Sequence, residues 1–184
     1  LDYHIFTIIK DKRQPILWIG CDSYGLIQYQ LEDSGIRSIT NNQLPLNRSL
    51  PIRCIFNDRN NNLWIGTKGN GLLRLNNFNP NNKYDESNSH LYTATNSRLG
   101  HNYVYCITES IHNGFYIGTE GSGVNWYSYK TNRISTIKGS LQIRYTHSIE
   151  ERGDSLLYIS TRGNISYKCR ISERDGEPIV TAID

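Results

Sequence analysis

Two glycine-rich segments have the composition of a loop that could cradle a phosphate group. They read GTKGNG over residues 66–71 and GTEGSG over residues 118–123. A phosphate-binding loop lies between a strand and a helix, because the N–H groups of the first helical turn face the anion. Here a strand-like stretch follows each segment, and no Lys–Ser/Thr pair follows the last glycine. We therefore predict turns between strands, in which glycine supplies a positive φ.

A second segment, DRNNN, has the oxygen donors of a calcium loop at Asp58, Asn60 and Asn62. An EF-hand also requires glycine at the sixth position and a carboxylate at the twelfth. Those positions are occupied by Leu63 and Gly69. Asn and Asp tolerate left-handed backbone angles, so we predict a hairpin turn here and no metal site.

Two further groups of residues could support catalysis but lack the necessary pattern. Ser122 lies between glycines, yet no G-x-S-x-G nucleophile elbow is present. Glu150 and Glu151 are the only adjacent pair of glutamates, and adjacent residues of a strand point to opposite faces of the sheet. We predict no catalytic residues, no cofactor and no enzyme activity in this segment. A lyase or other propeller enzyme is kept as a third class of function.

A four-residue motif recurs along the chain and predicts its organisation. It reads LWIG at residues 17–20 and 63–66, FYIG at 115–118 and LYIS at 157–160. Its last position falls at residues 20, 66, 118 and 160, which gives spacings of 46, 52 and 42 residues. This period is typical of one β-propeller blade per repeat and longer than that of the short helical repeats.

Each repeat contains four strand patterns separated by turn residues. In the second repeat these are residues 52–58, 63–66, 71–77 and 91–95. No sustained period of 3.6 residues occurs, so we expect almost no helix. One sheet cannot bury both of its faces alone, and radial stacking of the sheets solves this. We predict an all-β fold: one β-propeller segment with four repeats of four-stranded antiparallel blades, at residues 1–40, 50–95, 102–138 and 144–184.

Two columns of equivalent residues have a structural interpretation. The second strand of each repeat carries a central aromatic side chain, which we expect to fill the gap between neighbouring blades. These residues are Trp18, Trp64, Tyr116 and Tyr158. Cys54 and Cys106 occupy a column of small residues in the innermost strand, and we interpret them as buried, unreactive thiols. No CxxC pair occurs among the four cysteines, and disulfide pairing is left open.

Composition excludes two classes of partner. The chain has 184 residues and a formal net charge of +3, with acidic and basic residues interspersed. We find no run of Lys or Arg that would follow a phosphate backbone, so no nucleic-acid partner is expected. No stretch approaches the roughly 20 apolar residues of a membrane helix, so we expect no membrane contact by this segment itself. The chain begins at Leu1 without an initiating methionine, and we expect a segment of a longer protein.

The repeat motif resembles the two-component regulator propeller repeat. The best match is DRNNNLWIGTKGNGLLRL, residues 58–75, and the preceding LPIRCIFND resembles that family's linker and first strand. The resemblance covers all four repeats. It is weaker in the third, where Phe115 and Tyr116 replace Leu and Trp, and in the fourth, where Ser160 replaces glycine.

The resemblance implies a function that the residues alone do not. Such repeats form periplasmic sensor regions of hybrid two-component histidine kinases, which commonly detect glycan-derived oligosaccharides and regulate polysaccharide-utilisation genes. This segment would be an open portion of a larger propeller, or would self-associate to cover its exposed edges. The alternative is a structural propeller without a small ligand, which docks other blades of the parent chain or a second subunit and mediates dimerisation.

Propeller geometry separates the loops into two faces. The glycine turns and the loops between blades lie on one of them, which we call the glycine-turn face. Its candidate ligand contacts combine aromatic and hydrogen-bonding groups of both charges, which suits an oligosaccharide that is neutral or weakly charged. They are Asp22, Tyr24, Lys68, Asn70, His101, Tyr103, Glu120, Ser122, Arg144, Tyr145 and Arg162.

Overall fold

The computed structural model describes residues 4–22, 24–32, 36–38, 44–45, 50–121 and 123–184, and of residues 36–38 the backbone alone. These residues form β-strands and no α-helix, which confirms the all-β prediction. Among them no helix is long and apolar enough to cross a membrane.

The strands form four antiparallel sheets, and each sheet consists of four strands in chain order. The first sheet contains β1 (Ile5–Lys10), β2 (Ile16–Cys21), β3 (Leu26–Gln30) and β4 (Ile36–Ser38). The second contains β5 (Ile52–Asn57), β6 (Leu63–Thr67), β7 (Leu72–Leu75) and β8 (Ser89–Tyr92). The third contains β9 (Val104–Ser110), β10 (Gly114–Thr119), β11 (Asn125–Ser128) and β12 (Arg133–Thr136). The fourth contains β13 (Thr146–Arg152), β14 (Leu156–Thr161), β15 (Ser166–Arg174) and β16 (Glu177–Ile183).

Each sheet is built from one predicted repeat, so the prediction of four four-stranded blades is confirmed. The predicted fourth strand of the second repeat, residues 91–95, is displaced: β8 begins at Ser89 and ends at Tyr92. The chain divides into two compact units, Leu1–Leu91 and Tyr92–Asp184. The first unit holds the first and second sheets, and the second unit holds the third and fourth. The prediction that all four blades form a single propeller segment stays a prediction.

The two faces of every sheet differ in chemistry because the central motif alternates along the second strand. We call the side that carries Trp18, Trp64, Tyr116 or Tyr158 the aromatic face. The opposite side carries the residues on either side of each aromatic, such as Leu63 with Ile65 and Leu157 with Ile159, and we call it the aliphatic face.

In the first unit, the aromatic face of the first sheet packs against the aliphatic face of the second. Trp18 is fully buried in one cluster with Leu63 and Ile65. The ring of Phe78, from the loop after β7, meets the Trp18 ring edge-on at 5.1 Å between centroids. Burial of these apolar side chains is the main force that holds the two sheets together.

The second unit repeats this arrangement with the third and fourth sheets. Tyr116 and Trp126, on the aromatic face of the third sheet, share a buried cluster with Leu157 and Ile159 on the aliphatic face of the fourth. The prediction that the central aromatic side chains fill the gap between neighbouring blades is therefore confirmed for Trp18 and Tyr116.

The fourth member of the aromatic column is an exception. Tyr158 has 41% of its surface exposed, although it occupies the register position of Tyr116. Within the described residues Tyr158 does not pack between two sheets as Tyr116 does, and its predicted role between blades stays a prediction.

A carboxylate holds each buried tryptophan of the first two sheets in place. The indole N–H of Trp18 donates to Asp11 Oδ2, and that of Trp64 donates to Asp58 Oδ2, both at 2.8 Å. The other oxygen of Asp58 accepts the backbone N–H groups of Asn60 and Asn62 at 2.9 and 2.8 Å. One aspartate therefore closes the hairpin turn and satisfies a buried donor at the same time.

In the third sheet, the hydrogen-bond acceptor for the central aromatic residue comes from the fourth sheet. Ser110 stands where the first two sheets have aspartate, and Tyr116 replaces tryptophan. Both hydroxyl groups donate to Oε1 of Glu151 on β13, at 2.9 and 2.8 Å. Glu151 Oε2 accepts the backbone N–H of Ile111 at 3.0 Å, so one carboxylate of the fourth sheet closes the turn of the third.

We expect Asp58→Ala to lower the free energy of unfolding by about 2–3 kcal/mol, because it leaves the Trp64 N–H buried without an acceptor and opens the turn. Urea unfolding followed by tryptophan fluorescence measures the loss. The control is Asp175→Asn, since the Asp175 side chain is 93% exposed. Equal stability of the two variants would contradict this role for Asp58.

Candidate functional site

The glycine segments are turns between strands, as predicted. Gly71 and Gly123 have φ of 82° and 79°, a region that side chains with a Cβ rarely occupy, and strands follow each turn. The Thr67 hydroxyl donates to the Gly71 carbonyl at 2.8 Å and accepts the Asn70 backbone N–H at 3.0 Å. These hydrogen bonds and the strand that follows are those of a turn between strands, and the helix that a phosphate cradle requires is replaced by β7.

The same hydrogen bond anchors the first residue of the turn in all four sheets. Its backbone N–H donates to the carbonyl of a residue just before the first strand of the same sheet. The pairs are Asp22 with His4, Lys68 with Pro51, Glu120 with Tyr103 and Arg162 with Tyr145, at 2.9–3.2 Å. Because the backbone of this first turn residue is held in the same way in all four sheets, only its side chain differs from one sheet to the next.

The first unit contains four of the predicted contact residues. Asp22 Oδ2 lies 2.8 Å from His4 Nδ1, and the Asp22 side chain is 26% exposed. Tyr24 and Lys68 are exposed, and Asn70 is half-buried. These side chains stand on turns of two neighbouring sheets.

The second unit brings several predicted residues together. The rings of His101 and Tyr103 meet edge-on at 5.0 Å between centroids, and His101 Nδ1 accepts the Tyr103 backbone N–H at 3.1 Å. Arg162 Nη1 lies 3.9 Å from Glu120 Oε1, which links the turns of the third and fourth sheets. Since the Arg162 side chain is 70% exposed, this ion pair contributes little to stability and leaves the cation available to a ligand.

The remaining predicted residues are less tightly connected. Tyr145 is 42% exposed and has a φ of 55°, and its neighbour Arg144 is also exposed. Ser122 lies outside the described residues. Ligand binding by any of the predicted residues stays a prediction.

The structure adds a column of residues that sequence reasoning missed. The first strand of each sheet contains a β-bulge at the end next to the glycine turn, where the register skips one residue. The extra residues are Phe6, Arg53, Tyr105 and His147. A bulge changes the direction of a side chain and often lies beside a binding site.

The bulge residues of neighbouring sheets contact each other in both units. The Arg53 guanidinium carbon lies 3.8 Å from the centroid of the Phe6 ring, and the rings of Tyr105 and His147 are 4.5 Å apart. A sequence signal existed: this column directly precedes the column of small residues, yet its members are large and chemically varied. Such variation at one fixed position is expected where a repeat makes specific contacts.

The other motifs with possible chemistry have structural roles. Both Asp58 oxygens are occupied by the donors of its own turn and of Trp64, which supports a hairpin turn. The described residues contain no group of three or more His, Cys, Asp or Glu that could hold a metal ion. Glu150 and Glu151 point to opposite faces: Glu150 pairs with Arg152 at 2.6 Å, whereas Glu151 accepts from Tyr116.

Of the cysteine column, Cys54 is buried as predicted, whereas Cys106 is half-buried. All four cysteines lie in the described part of the chain, and none is in a disulfide bond. Burial raises the pKa of Cys106 to about 12, and burial followed by the charge of Asp184 raises that of Cys169 to about 11. Thiolate, the reactive form, is therefore scarce near neutral pH.

Comparison with known proteins confirms the family resemblance in the second repeat. Residues 46–69 match the family model described as the two component regulator propeller. The matched segment includes the Asp58 turn and the strand β6. No curated protein matches the chain.

Solved structures share the fold at low sequence identity. The extracellular domain of a protein assigned to a hybrid two component system of Bacteroides thetaiotaomicron superposes with a TM-score of 0.68 and 17% identity, over 97% of this chain and 24% of that chain. PorZ, an essential surface component of the type-IX secretion system of Porphyromonas gingivalis, gives 0.65 and 16% over 97% and 27%. A streptogramin B lyase gives 0.63 and 13% over 96% and 53%.

These similarities establish the propeller fold of the sheets. The chain spans about a quarter of the length of the first two of these structures. Three proteins with different described roles share one fold, so the fold by itself does not select among them.

We expect Cys106 to react with iodoacetamide at pH 8 at least about a hundredfold more slowly in the native chain than in urea, since its pKa of about 12 suppresses the thiolate. Mass spectrometry of the alkylated peptides gives the rates. Because the unfolded thiol deprotonates first, stability is expected to fall as pH rises above about 9. Equal native and denatured rates would contradict the burial of this thiol.

Proposed function

We propose that this chain is part of the periplasmic sensor region of a hybrid two-component histidine kinase, and that it detects glycan-derived oligosaccharides to regulate polysaccharide-utilisation genes. The observation that carries the proposal is the match of residues 46–69 to the two component regulator propeller, in a sheet whose architecture recurs four times. The structural likeness to the extracellular domain of a protein assigned to a hybrid two component system supports the extracytoplasmic location.

The chemistry of the glycine-turn face supports an oligosaccharide as the ligand. In the second unit it combines the His101–Tyr103 ring pair, the Tyr105–His147 ring pair and the Glu120–Arg162 ion pair. Aromatic rings pack against the apolar faces of sugar rings, and charged groups of both signs bond to hydroxyl groups without requiring a charged ligand.

The proposed mechanism is a change in packing, with no chemical step. The ligand must bind one arrangement of the sensor region better than another, because only this difference in affinity can shift the equilibrium between them. Contacts that bridge two sheets, such as Arg162 with Glu120, are suited to this role because a ligand that competes for either group acts on both sheets.

A second candidate function is a protein-interaction propeller without a small ligand. The likeness to PorZ, which is described as a component of a secretion system, favours it. In this case the glycine-turn face or an exposed sheet would dock other blades of the parent chain or a second subunit.

Calorimetry with neutral oligosaccharides separates these functions. We expect saturable binding that weakens at least about tenfold, or about 1.4 kcal/mol, in Tyr103→Ala and in Arg144→Ala. Tyr84→Phe is the matched control, because Tyr84 is buried away from this face and its hydroxyl contacts only the loop at Asn79.

Absence of binding to every oligosaccharide, together with concentration-dependent self-association in light scattering, would favour the docking function. Release of a shortened or unsaturated sugar product would contradict both functions and point to an enzyme.

A further inference from the structure

The aromatic face of the fourth sheet differs from its counterparts position by position. In the first and third sheets this face is the one that packs against the next sheet, and most of its residues are small or apolar, although Gln28 stands beside Trp18. In the fourth sheet the equivalent positions are polar, and Ser148, Glu150, Ser166 and Lys168 are all exposed. Residues that are paired across strands lie on the same face, so the strand register identifies these equivalences directly.

The clearest substitution is at the last position of the four-residue motif, which we call the glycine column because it holds Gly20, Gly66 and Gly118 in the first three sheets. Gly20 and Gly118 occupy a position where the following sheet comes too close for a side chain: a Cβ at Gly20 would lie 2.6 Å from Ile52, and one at Gly118 would lie 2.7 Å from the Thr146 carbonyl. Both Ile52 and Thr146 begin the first strand of the next sheet. The fourth sheet has Ser160 here, and a further sheet in the same geometry would collide with it.

Other equivalent positions also become more polar in the fourth sheet. The residue paired with the central aromatic on the first strand is Ile9, Phe56 or Thr108 in the first three sheets and Glu150 in the fourth. Leu26 and Leu72 pair with the glycine column, whereas Ser166 pairs with Ser160.

The turn position that holds Asp11 and Asp58 is occupied by Arg152, which cannot accept a hydrogen bond from an aromatic side chain.

A requirement for a soluble surface would explain the polar residues of this face, but it does not explain why an aromatic residue, Tyr158, is kept among them. Tyr158 keeps its place in the middle of the face, with 41% of its surface exposed, between Glu150 and Lys168 on the neighbouring strands. The position of Lys168 holds Gln28 and Arg74 in the first two sheets, so the new charge beside the aromatic ring is that of Glu150. A shallow cavity of about 340 Å³ lies over this point. Its lining includes Ser148, Glu150, Tyr158, Ser160, Ser166 and Lys168.

We propose that the aromatic face of the fourth sheet is a binding surface for a neutral oligosaccharide. Tyr158 supplies a planar ring at the centre, against which the apolar side of a sugar ring can stack. Ser148 and Ser160, whose hydroxyl groups are 2.8 Å apart, and Ser166 supply groups that both donate and accept.

The charges on this surface favour a neutral ligand. Glu150 is paired with Arg152 at 2.6 Å, and Lys168 stands on the other side of Tyr158. A carboxylate and an ammonium group on opposite sides of one ring can bond to hydroxyl groups from both directions, whereas an anionic or cationic ligand would be repelled by one of them. This inference shares only its class of ligand with the proposed function, because the surface is distinct from the glycine-turn face.

The test is an NMR titration of the ¹⁵N-labelled chain with cellotetraose, maltotetraose, laminaritetraose and xylotetraose up to millimolar concentration. We expect at least one sugar to shift the amide signals of β13, β14 and β15 around Ser148, Tyr158 and Lys168. Tyr158→Ala should weaken this binding at least about tenfold, and Tyr158→Phe should retain most of it. Leu31→Ala, a change of an equally exposed apolar side chain in the first unit, is the control.

Shifts that are confined to the glycine turns and unaffected by Tyr158→Ala would overturn this inference and leave the proposed function standing. Shifts on the fourth sheet that disappear in Tyr158→Ala, with Tyr103→Ala and Arg144→Ala unchanged, would support the inference and contradict the proposed ligand site. Absence of shifts with all four sugars would overturn the inference. The amide spectrum of each variant reports whether the variant is folded.

Discussion

The close approach of one sheet to the next at a column of glycines is the constraint on which the rest of the structure depends. At Gly20 and Gly118 the following sheet leaves no room for a Cβ. This short distance lets the aromatic face of one sheet bury itself against the aliphatic face of the next, as Trp18 and Tyr116 do. It also accounts for the small residues of the first strand that pair with the glycines, since a larger side chain at Cys106 would meet the same obstruction.

Because these faces are used for packing between sheets, ligand contacts are expected at positions where the repeat does not fix the type of side chain. On the glycine-turn face these are the first turn residue and the bulge residue, whose backbones are fixed in the same manner in every sheet. The Tyr105–His147 and Arg162–Glu120 contacts show that such residues meet between neighbouring sheets. A face that is not needed for packing, such as that around Tyr158, is the other place where chemistry can vary.

Most of the fold can be predicted from the sequence because the same repeat occurs four times, and each copy supports the interpretation of the others. Alternation of side chains located the strands to within a few residues, and Trp18 and Tyr116 pack as expected. The exposure of Tyr158 was not predicted, because one position of a motif does not show whether the rest of its face has become polar. Phe6 and the other bulge residues were missed for a related reason: a bulge adds a residue without changing the pattern on either side.

The central claim is that the glycine column marks a junction between sheets in the third blade, whereas Ser160 in the fourth lies at no junction between described sheets. The most direct test compares Gly118→Ala with Ser160→Ala by urea unfolding. Alanine normally stabilises a strand relative to glycine. Here we expect Gly118→Ala to lower the free energy of unfolding by about 1–3 kcal/mol, because its Cβ meets the Thr146 carbonyl of the next sheet and the Cys106 sulfur of its own sheet, and Ser160→Ala to change it by less than about 0.5 kcal/mol. A Gly118→Ala chain as stable as the parent, or more stable, would contradict the account.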